Sequence, residues 1–241
     1  MLSGVPPASP TAAGVVLASG AGTRVGARRN KVYLPLAGRP LVAWSLAAFA
    51  RAPDVGVLVL VIRPQDAELA AEVAGPGIEV VPGGATRQES ELNALRQLAE
   101  RIGAGAVDTV LLHDGARPLV SPRLVTSVLA AAREHGGAVP GLTADDLAAV
   151  DGTGSRLAGR PPGMLVRAQT PQGFSAAPLL AAYERAAREG FAGTDTASCV
   201  ERFTDLTVRR VPGEPTNLKV TYAHDLAVAE RVLAGRSVAA E

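Results

Sequence analysis

Cysteine is almost missing from this chain: Cys199 stands alone among 241 residues. A single thiol excludes a disulfide framework and a cysteine-based zinc set, and it fits a reducing, cytoplasmic location. Cys199 itself reads as a small buried apolar residue. Long apolar runs are also missing, since none reaches the roughly eighteen residues that a membrane span needs, and the N-terminus lacks the charged segment of a signal peptide. No membrane partner is expected. Charge of one sign is absent too, with a formal net charge of +1. That balance leaves no polyanion footprint, so nucleic acid is not an expected partner and any bound anion is small. Lysine is the scarcest charged residue: of 24 basic residues only Lys31 and Lys219 are lysines. Base composition accounts for the excess of arginine. Against it, a remaining lysine is a candidate for a site that needs a compact ammonium, because ammonium and guanidinium are not interchangeable at a crowded phosphate.

What is present suffices for one large core, with 47% hydrophobic residues. Residues 1–12, with three prolines among small residues, read as a disordered leader, 13–235 as a single domain and 236–241 as a tail. Apolar runs at 15–18, 55–62, 78–81 and 109–113 read as strands. Helical patterns at 40–51, 65–74, 87–101 and 122–135 alternate with them. The expectation is an α/β protein with a doubly wound, mostly parallel sheet. Residues 142–167 are rich in Gly, Pro and Arg and lack a helical period, which reads as a projecting arm or hairpin. Beyond it come a helix at 176–189, a helix start at Thr194-Asp195-Thr196-Ala197-Ser198, a strand at 217–220 bearing Lys219, and a helix at 224–233.

In such sheets ligands sit at the carboxyl ends of the strands. Three loops there carry distinctive residues. The first follows residues 15–18 and reads SGAGTR from Ser19, with Lys31 downstream. Its small residues let backbone N–H groups approach a phosphate closely, and Arg24 and Lys31 face the charge so gathered, which points to a nucleoside triphosphate. A dinucleotide fingerprint is disfavoured because Val25 stands where its third glycine belongs and the second strand runs into Arg63-Pro64. A Walker loop is excluded by the absence of Gly-Lys followed by Ser or Thr. The second loop, PGGATR from Pro82, permits backbone approach to a base through Gly83-Gly84, with Ser90 as a donor on the following helix. The third, HDGARP from His113, offers Asp114 to orient a hydroxyl or a metal-bound group and Arg117 to hold a phosphate. His113 reads as a packed, hydrogen-bonded residue.

Taken together, LASGAGTRVG, GGATRQES, HDGARP, QTPQGF, GTDTAS and NLKVTYAHDLAVAE, from about residue 14 to 233, resemble the 2-C-methyl-D-erythritol 4-phosphate cytidylyltransferases of the non-mevalonate isoprenoid pathway. The resemblance implies a Rossmann-like nucleotidyltransferase fold in which residues 142–168 form a β-arm that grips a second subunit, making a homodimer. It implies in-line attack of a polyol phosphate on the α-phosphorus of CTP, with magnesium present and pyrophosphate released. Arg24 and Lys31 match the family's transition-state stabilisers, Lys219 completes the catalytic set on the alcohol-phosphate side, and Arg160 matches its arm arginine. Ala18, Ser19, Gly20, Gly22, Gly84, Ala85 and Ser90 match the nucleotide site. Asp114, Arg117, Thr194 and Asp195 match the alcohol-phosphate side, with Asp114 also the acid to consider for metal.

The chain departs from the family pattern in places. Asp145-Asp146-Leu147-Ala148 replaces the usual Asp-Thr-x-Lys, Asn30 and Val32 replace Pro and Gln around Lys31, and Ala85 stands where many members have an acid. The arm deviates most, so a transferase for another polyol phosphate, such as ribitol 5-phosphate, and a catalytically weakened nucleotide-binding homologue are the alternatives.

Overall fold

In the computed structural model, which describes residues 10–20, 29–159, 163–193 and 196–238, the central strand is β1 (Thr11–Leu17). It forms because small and β-branched residues alternate between two helical layers. Ala12 and Val16 face one layer, while Ala13, Val15 and Leu17 face the other. Gly14 belongs to the first face, where a Cβ would lie 2.4 Å from the Phe49 ring. A short antiparallel pair, β2 (Pro35–Leu36) and β3 (Arg39–Pro40), stands apart from the main sheet. The central strand pairs in parallel with β4 (Val55–Ile62) on one side and β6 (Val107–Asp114) on the other. Beyond β4 lies β5 (Ile78–Pro82), also parallel. Beyond β6 lies β11 (Gln172–Ser175), antiparallel both to β6 and to β7 (Gly136–Thr143). The other edge of β7 carries β12 (Thr207–Pro212) in parallel, and β10 (Val166–Ala168) pairs antiparallel with the distal end of β7.

One face is covered by α1 (Leu41–Ala50), α2 (Ala67–Val73) and α5 (Pro122–His135). The opposite face is covered by α3 (Arg87–Gln97), α4 (Ala99–Gly103), α6 (Ala176–Glu189) and α7 (Thr196–Phe203). A smaller cluster of Leu36, Leu41, Leu119, Val220, Ala229 and Leu233 seats the last helix, α8 (Ala223–Val238). Because β4 and β6 flank β1 and the chain reverses direction there, the carboxyl ends of these strands open a crevice at the switch point. The expected doubly wound, mostly parallel sheet is therefore present. Among the described residues no helix is long and apolar enough to cross a membrane.

The helix expected at 122–135 forms with those bounds, since Ser121 caps Leu124 N at 3.0 Å, Pro122 opens the first turn and Gly136 takes the left-handed conformation at its end. Other boundaries differ. The helix expected at 65–74 begins as a 3₁₀ turn at Pro64–Asp66 and turns into α2 at Ala67. The helix expected at 87–101 divides into α3 and α4 at Leu98, whose N–H is shared between the Ala94 and Leu95 carbonyls in a tightened turn. Residues 217–220 are not a strand: Asn217 N and Leu218 N bond within local turns, Val220 N donates to Ala116 O, and Asn217 O accepts the side chains of Arg117 and Gln169. The sheet starts at Thr11, inside the segment expected as a leader, and α8 runs to Val238, inside the expected tail. Between β7 and β10 lies a two-stranded antiparallel sheet, β8 (Ala149–Val150) and β9 (Leu157–Gly159), in line with the expected hairpin.

Candidate active site

The crevice is a cleft of about 610 Å³, and both lysines of the chain line it. Ser19 and Gly20 from the first loop, Gly84, Ala85 and Ser90 from the second, and Asp114 from the third line it with them. Ala18 lies beneath, fully buried. Gly22, Arg24, Arg160, Thr194 and Asp195 lie outside the described residues.

The first two loops are knotted together at Ser90. Its hydroxyl donates to Thr86 O at 2.9 Å and receives the Ser19 hydroxyl at 3.0 Å and Gly84 N–H at 3.1 Å. The expected free donor is thus spent on shaping the floor. Both glycines of the second loop are required by this closeness: a Cβ on Gly83 would stand 2.7 Å from Ser19 Cβ, and one on Gly84 would stand 2.4 Å from Glu89 Cβ. Thr86 and Glu89 form a capping box that starts α3, and Glu89 also accepts Ala85 N–H at 2.7 Å.

Lys31 sits in a 3₁₀ turn, Lys31–Tyr33, whose position is set by its neighbour. The Asn30 amide donates to Ala18 O at 2.8 Å and to Asp66 Oδ2 at 2.9 Å, while its oxygen receives Val32 N at 3.4 Å. Arg63 grips the same Asp66 carboxylate through a fork of 2.7 and 2.8 Å. The Asn30 substitution thus clamps the turn that carries Lys31 to the ends of β1 and β4.

On the opposite side Asp114 is nearly buried and meets three cations, Arg117 at 3.8 Å and two that stand closer. Lys219 Nζ stands 2.7 Å from Oδ2, and Arg87 Nη1 bonds Oδ1. Burial alone would raise the pKa of Asp114, but Arg87 and then Lys219 outweigh it and hold the carboxyl well below its ordinary value. Arg117 does not enter the cleft. Its Nη1 donates to Asn217 O at 2.8 Å and its Nη2 to Ala168 O at 3.5 Å, so it ties the base of the arm to the segment bearing Lys219. Burial lowers its pKa. His113 is fully buried behind Asp114, and desolvation pushes its pKa down to about 4. Arg117 O can only accept, so the proton is on Nε2 (3.2 Å), and Nδ1 receives the Thr170 hydroxyl at 3.0 Å. Thr170 in turn receives Asp114 N–H at 3.0 Å. The packed, hydrogen-bonded reading of His113 is what the structure shows. In the arm, Asp146 is paired with Arg167, so its charge is answered within the arm itself.

A family model described as 2-C-methyl-D-erythritol 4-phosphate cytidylyltransferase matches residues 12–235. The chain belongs to this family. It is 46% identical over 228 residues to the 2-C-methyl-D-erythritol 4-phosphate cytidylyltransferase of Cereibacter sphaeroides, covering 93% of this chain and 97% of that protein. It is 42% identical to the bifunctional enzyme IspD/IspF of Rhodobacter capsulatus, covering 94% of this chain and 57% of that longer protein. Among solved structures, the cytidylyltransferase of Thermus thermophilus is 35% identical with a TM-score of 0.70, over 91% of this chain and 98% of that one. The 4-diphosphocytidyl-2C-methyl-D-erythritol synthase of Anaerococcus prevotii is 26% identical with a TM-score of 0.81, over 94% and 97%.

In this cytidylyltransferase family member, three residues of the cleft and its wall escape the motif reading. Arg87 reads in the sequence only as part of a loop, although it bridges Asp114 and Glu91. Glu91 is buried, and Asn217 is fully buried with its amide donating to Thr170 O at 2.9 Å. The usable signal for the first two is their i, i+4 spacing on a helix that starts at the sheet's carboxyl edge. Asp114 does not fit the role of a metal ligand considered for it, since both of its oxygens are already engaged by cations. Among the described residues no group of three or more His, Cys, Asp or Glu is placed to hold a metal ion.

Proposed function

We propose that this chain transfers CMP from CTP to 2-C-methyl-D-erythritol 4-phosphate. A phosphate oxygen of the polyol attacks the α-phosphorus of CTP in line, the bond to the bridging oxygen breaks, and pyrophosphate leaves. Such a transfer needs positioning and fixed positive charge more than a protein nucleophile. The observation that carries the proposal is that both lysines of an arginine-rich chain line one cleft at the switch point of the sheet.

In this reading the backbone of Ser19, Gly20, Gly84 and Ala85 frames the nucleotide, with Ala18 and Ser90 holding that frame and Gly22 contributing to the same loop. Lys31, together with Arg24, faces the charge that develops on the phosphoryl oxygens. Lys219, held by Asp114, receives the incoming phosphate, a role the family resemblance also implies for Thr194, Asp195 and the arm residue Arg160. Arg117 supports that side through its backbone bonds. Magnesium enters as part of the nucleotide substrate, bound by the triphosphate and water.

The same proposal includes a homodimer and a cytoplasmic location. A two-stranded sheet is too small to be stable alone in water. The β8–β9 arm exposes Val150, Leu157 and Met164, and a second copy is the partner that the family resemblance implies for such a surface. Light scattering of the purified chain is expected to give twice the 24.5 kDa chain mass. The activity is tested by pyrophosphate release from CTP, UTP, ATP and GTP against a panel of polyol phosphates. Release with CTP and 2-C-methyl-D-erythritol 4-phosphate supports the proposal. Release with ribitol 5-phosphate alone moves the second substrate, and tight CTP binding without release from any acceptor overturns the catalytic reading.

A further inference from the structure

Glu91 is a buried acid that the motif reading does not use, and its side-chain bonds run to Arg87, Tyr183 and Thr196, none of them matched to the nucleotide side. It sits on α3 one turn beyond Arg87, and its carboxylate meets donors from three helices. Oε1 accepts Arg87 Nε at 2.9 Å and the Thr196 hydroxyl at 3.0 Å, while Oε2 accepts the Tyr183 hydroxyl at 2.6 Å. Arg87 belongs to α3 itself, Tyr183 to α6, and Thr196 is the first residue of α7. All three partners are placed to donate to the carboxylate. Burial holds its pKa above the ordinary carboxylate value, and Arg87 and the two hydroxyls offset this only in part.

This joint reaches the cleft by two routes. Through Arg87 it sets the guanidinium whose Nη1 bonds Asp114, and Asp114 holds Lys219. Through Thr196 it pins the start of α7, immediately after the two positions that match the alcohol-phosphate side. On the nucleotide side, by contrast, the loops are held by Ser90, Thr86 and Glu89. We infer that Glu91 is a positioning residue for the acceptor half of the cleft, coupling the start of α7 to the Arg87–Asp114–Lys219 chain so that the polyol phosphate meets a preformed set of charges.

The inference rests on the cytidylyltransferase reading, and the test separates the two. Steady-state pyrophosphate release is measured with each substrate varied at saturating levels of the other, for the wild type, Glu91→Gln, Thr196→Val and Thr196→Ser. Glu91→Gln is expected to raise KM for 2-C-methyl-D-erythritol 4-phosphate by about tenfold or more while KM for CTP stays within about twofold. Thr196→Val, which leaves the Arg87–Glu91 pair in place, is expected to shift the same KM in the same direction, and Thr196→Ser to restore it. A wild type that releases no pyrophosphate overturns the activity and this inference with it. An active wild type whose variants shift both KM values equally, or neither, overturns the role of Glu91 alone. If Glu91→Gln does not fold, the Thr196 pair decides by the same criterion.

Discussion

Lys219 Nζ stands 2.7 Å from Asp114 Oδ2, while Arg87 takes the other oxygen of the same carboxylate. One nearly buried acid therefore fixes two cations that arrive from distant parts of the chain. Asp114→Asn keeps the shape and removes the charge, leaving Lys219 without this carboxylate partner and Arg87 with Glu91 as its remaining one. The expected cost is about 1–3 kcal/mol of stability, because charge-assisted bonds to a buried carboxylate are lost while Arg87 keeps Glu91 and Lys219 is partly exposed. Lys219→Met keeps the Arg87–Asp114 pair, and Lys219 is partly exposed, so its expected cost is below about 1 kcal/mol. Both variants are expected to slow pyrophosphate release by about 100-fold or more. Urea titrations and initial rates on the two variants check this.

Lys31→Ala is expected to lower kcat by about 100- to 1,000-fold, with KM for CTP changed by less than about threefold. A charge that acts on the transition state leaves that signature. A rise in KM with kcat unchanged would assign Lys31 to ground-state binding instead.

Asn30→Ala removes three hydrogen bonds around the turn of Lys31 and leaves the buried Ala18 carbonyl without its donor. The expected loss is about 1–3 kcal/mol of stability, from the unsatisfied buried groups. Since the same bonds fix Lys31, kcat is expected to fall as well while KM for CTP holds. Chemical denaturation and steady-state kinetics on one preparation separate the two effects.

His113 is neutral in the fold, with its pKa lowered from 6.5 to about 4 by burial. Between these values the unfolded chain binds more protons than the folded one, so stability rises with pH across that window. The total is roughly 3 kcal/mol for this group. Asp114, whose folded pKa is depressed, contributes stability that is present above the unfolded carboxylate value and is lost as pH falls through the folded one. Glu91, whose pKa burial raises, contributes a slope of opposite sign, so the His113 contribution is read as the difference between wild type and His113→Asn from pH 4.5 to 7, where the variant is expected to lose the rising component.

The parallel sheet was legible because its strands are short apolar runs bounded by loops, and α5 was legible to the residue because Ser121, Pro122 and Gly136 punctuate it. Strands β7 and β12 were not. Gly136, Gly137, Pro140 and Gly141 argue against a strand locally, and β7 exists because β11 and β12 supply partners from later in the chain. The site divides in the same way. Lys31, Lys219 and Asp114 announce themselves by residue type and position. Arg87 and Glu91 look like an ordinary i, i+4 surface pair. They become buried because Tyr183 and Thr196 close over Glu91 from 92 and 105 residues downstream, a fact of tertiary packing with no local trace.

The scarcity of lysine has a practical side. The chain offers only two side-chain amines, and both line the cleft. Besides the α-amino group, an amine-directed reagent therefore has no lysine to modify outside the cleft. Acylation, reductive methylation or isotopic tagging of lysine becomes a label for the cleft, and a mass spectrum of the intact chain reads its occupancy.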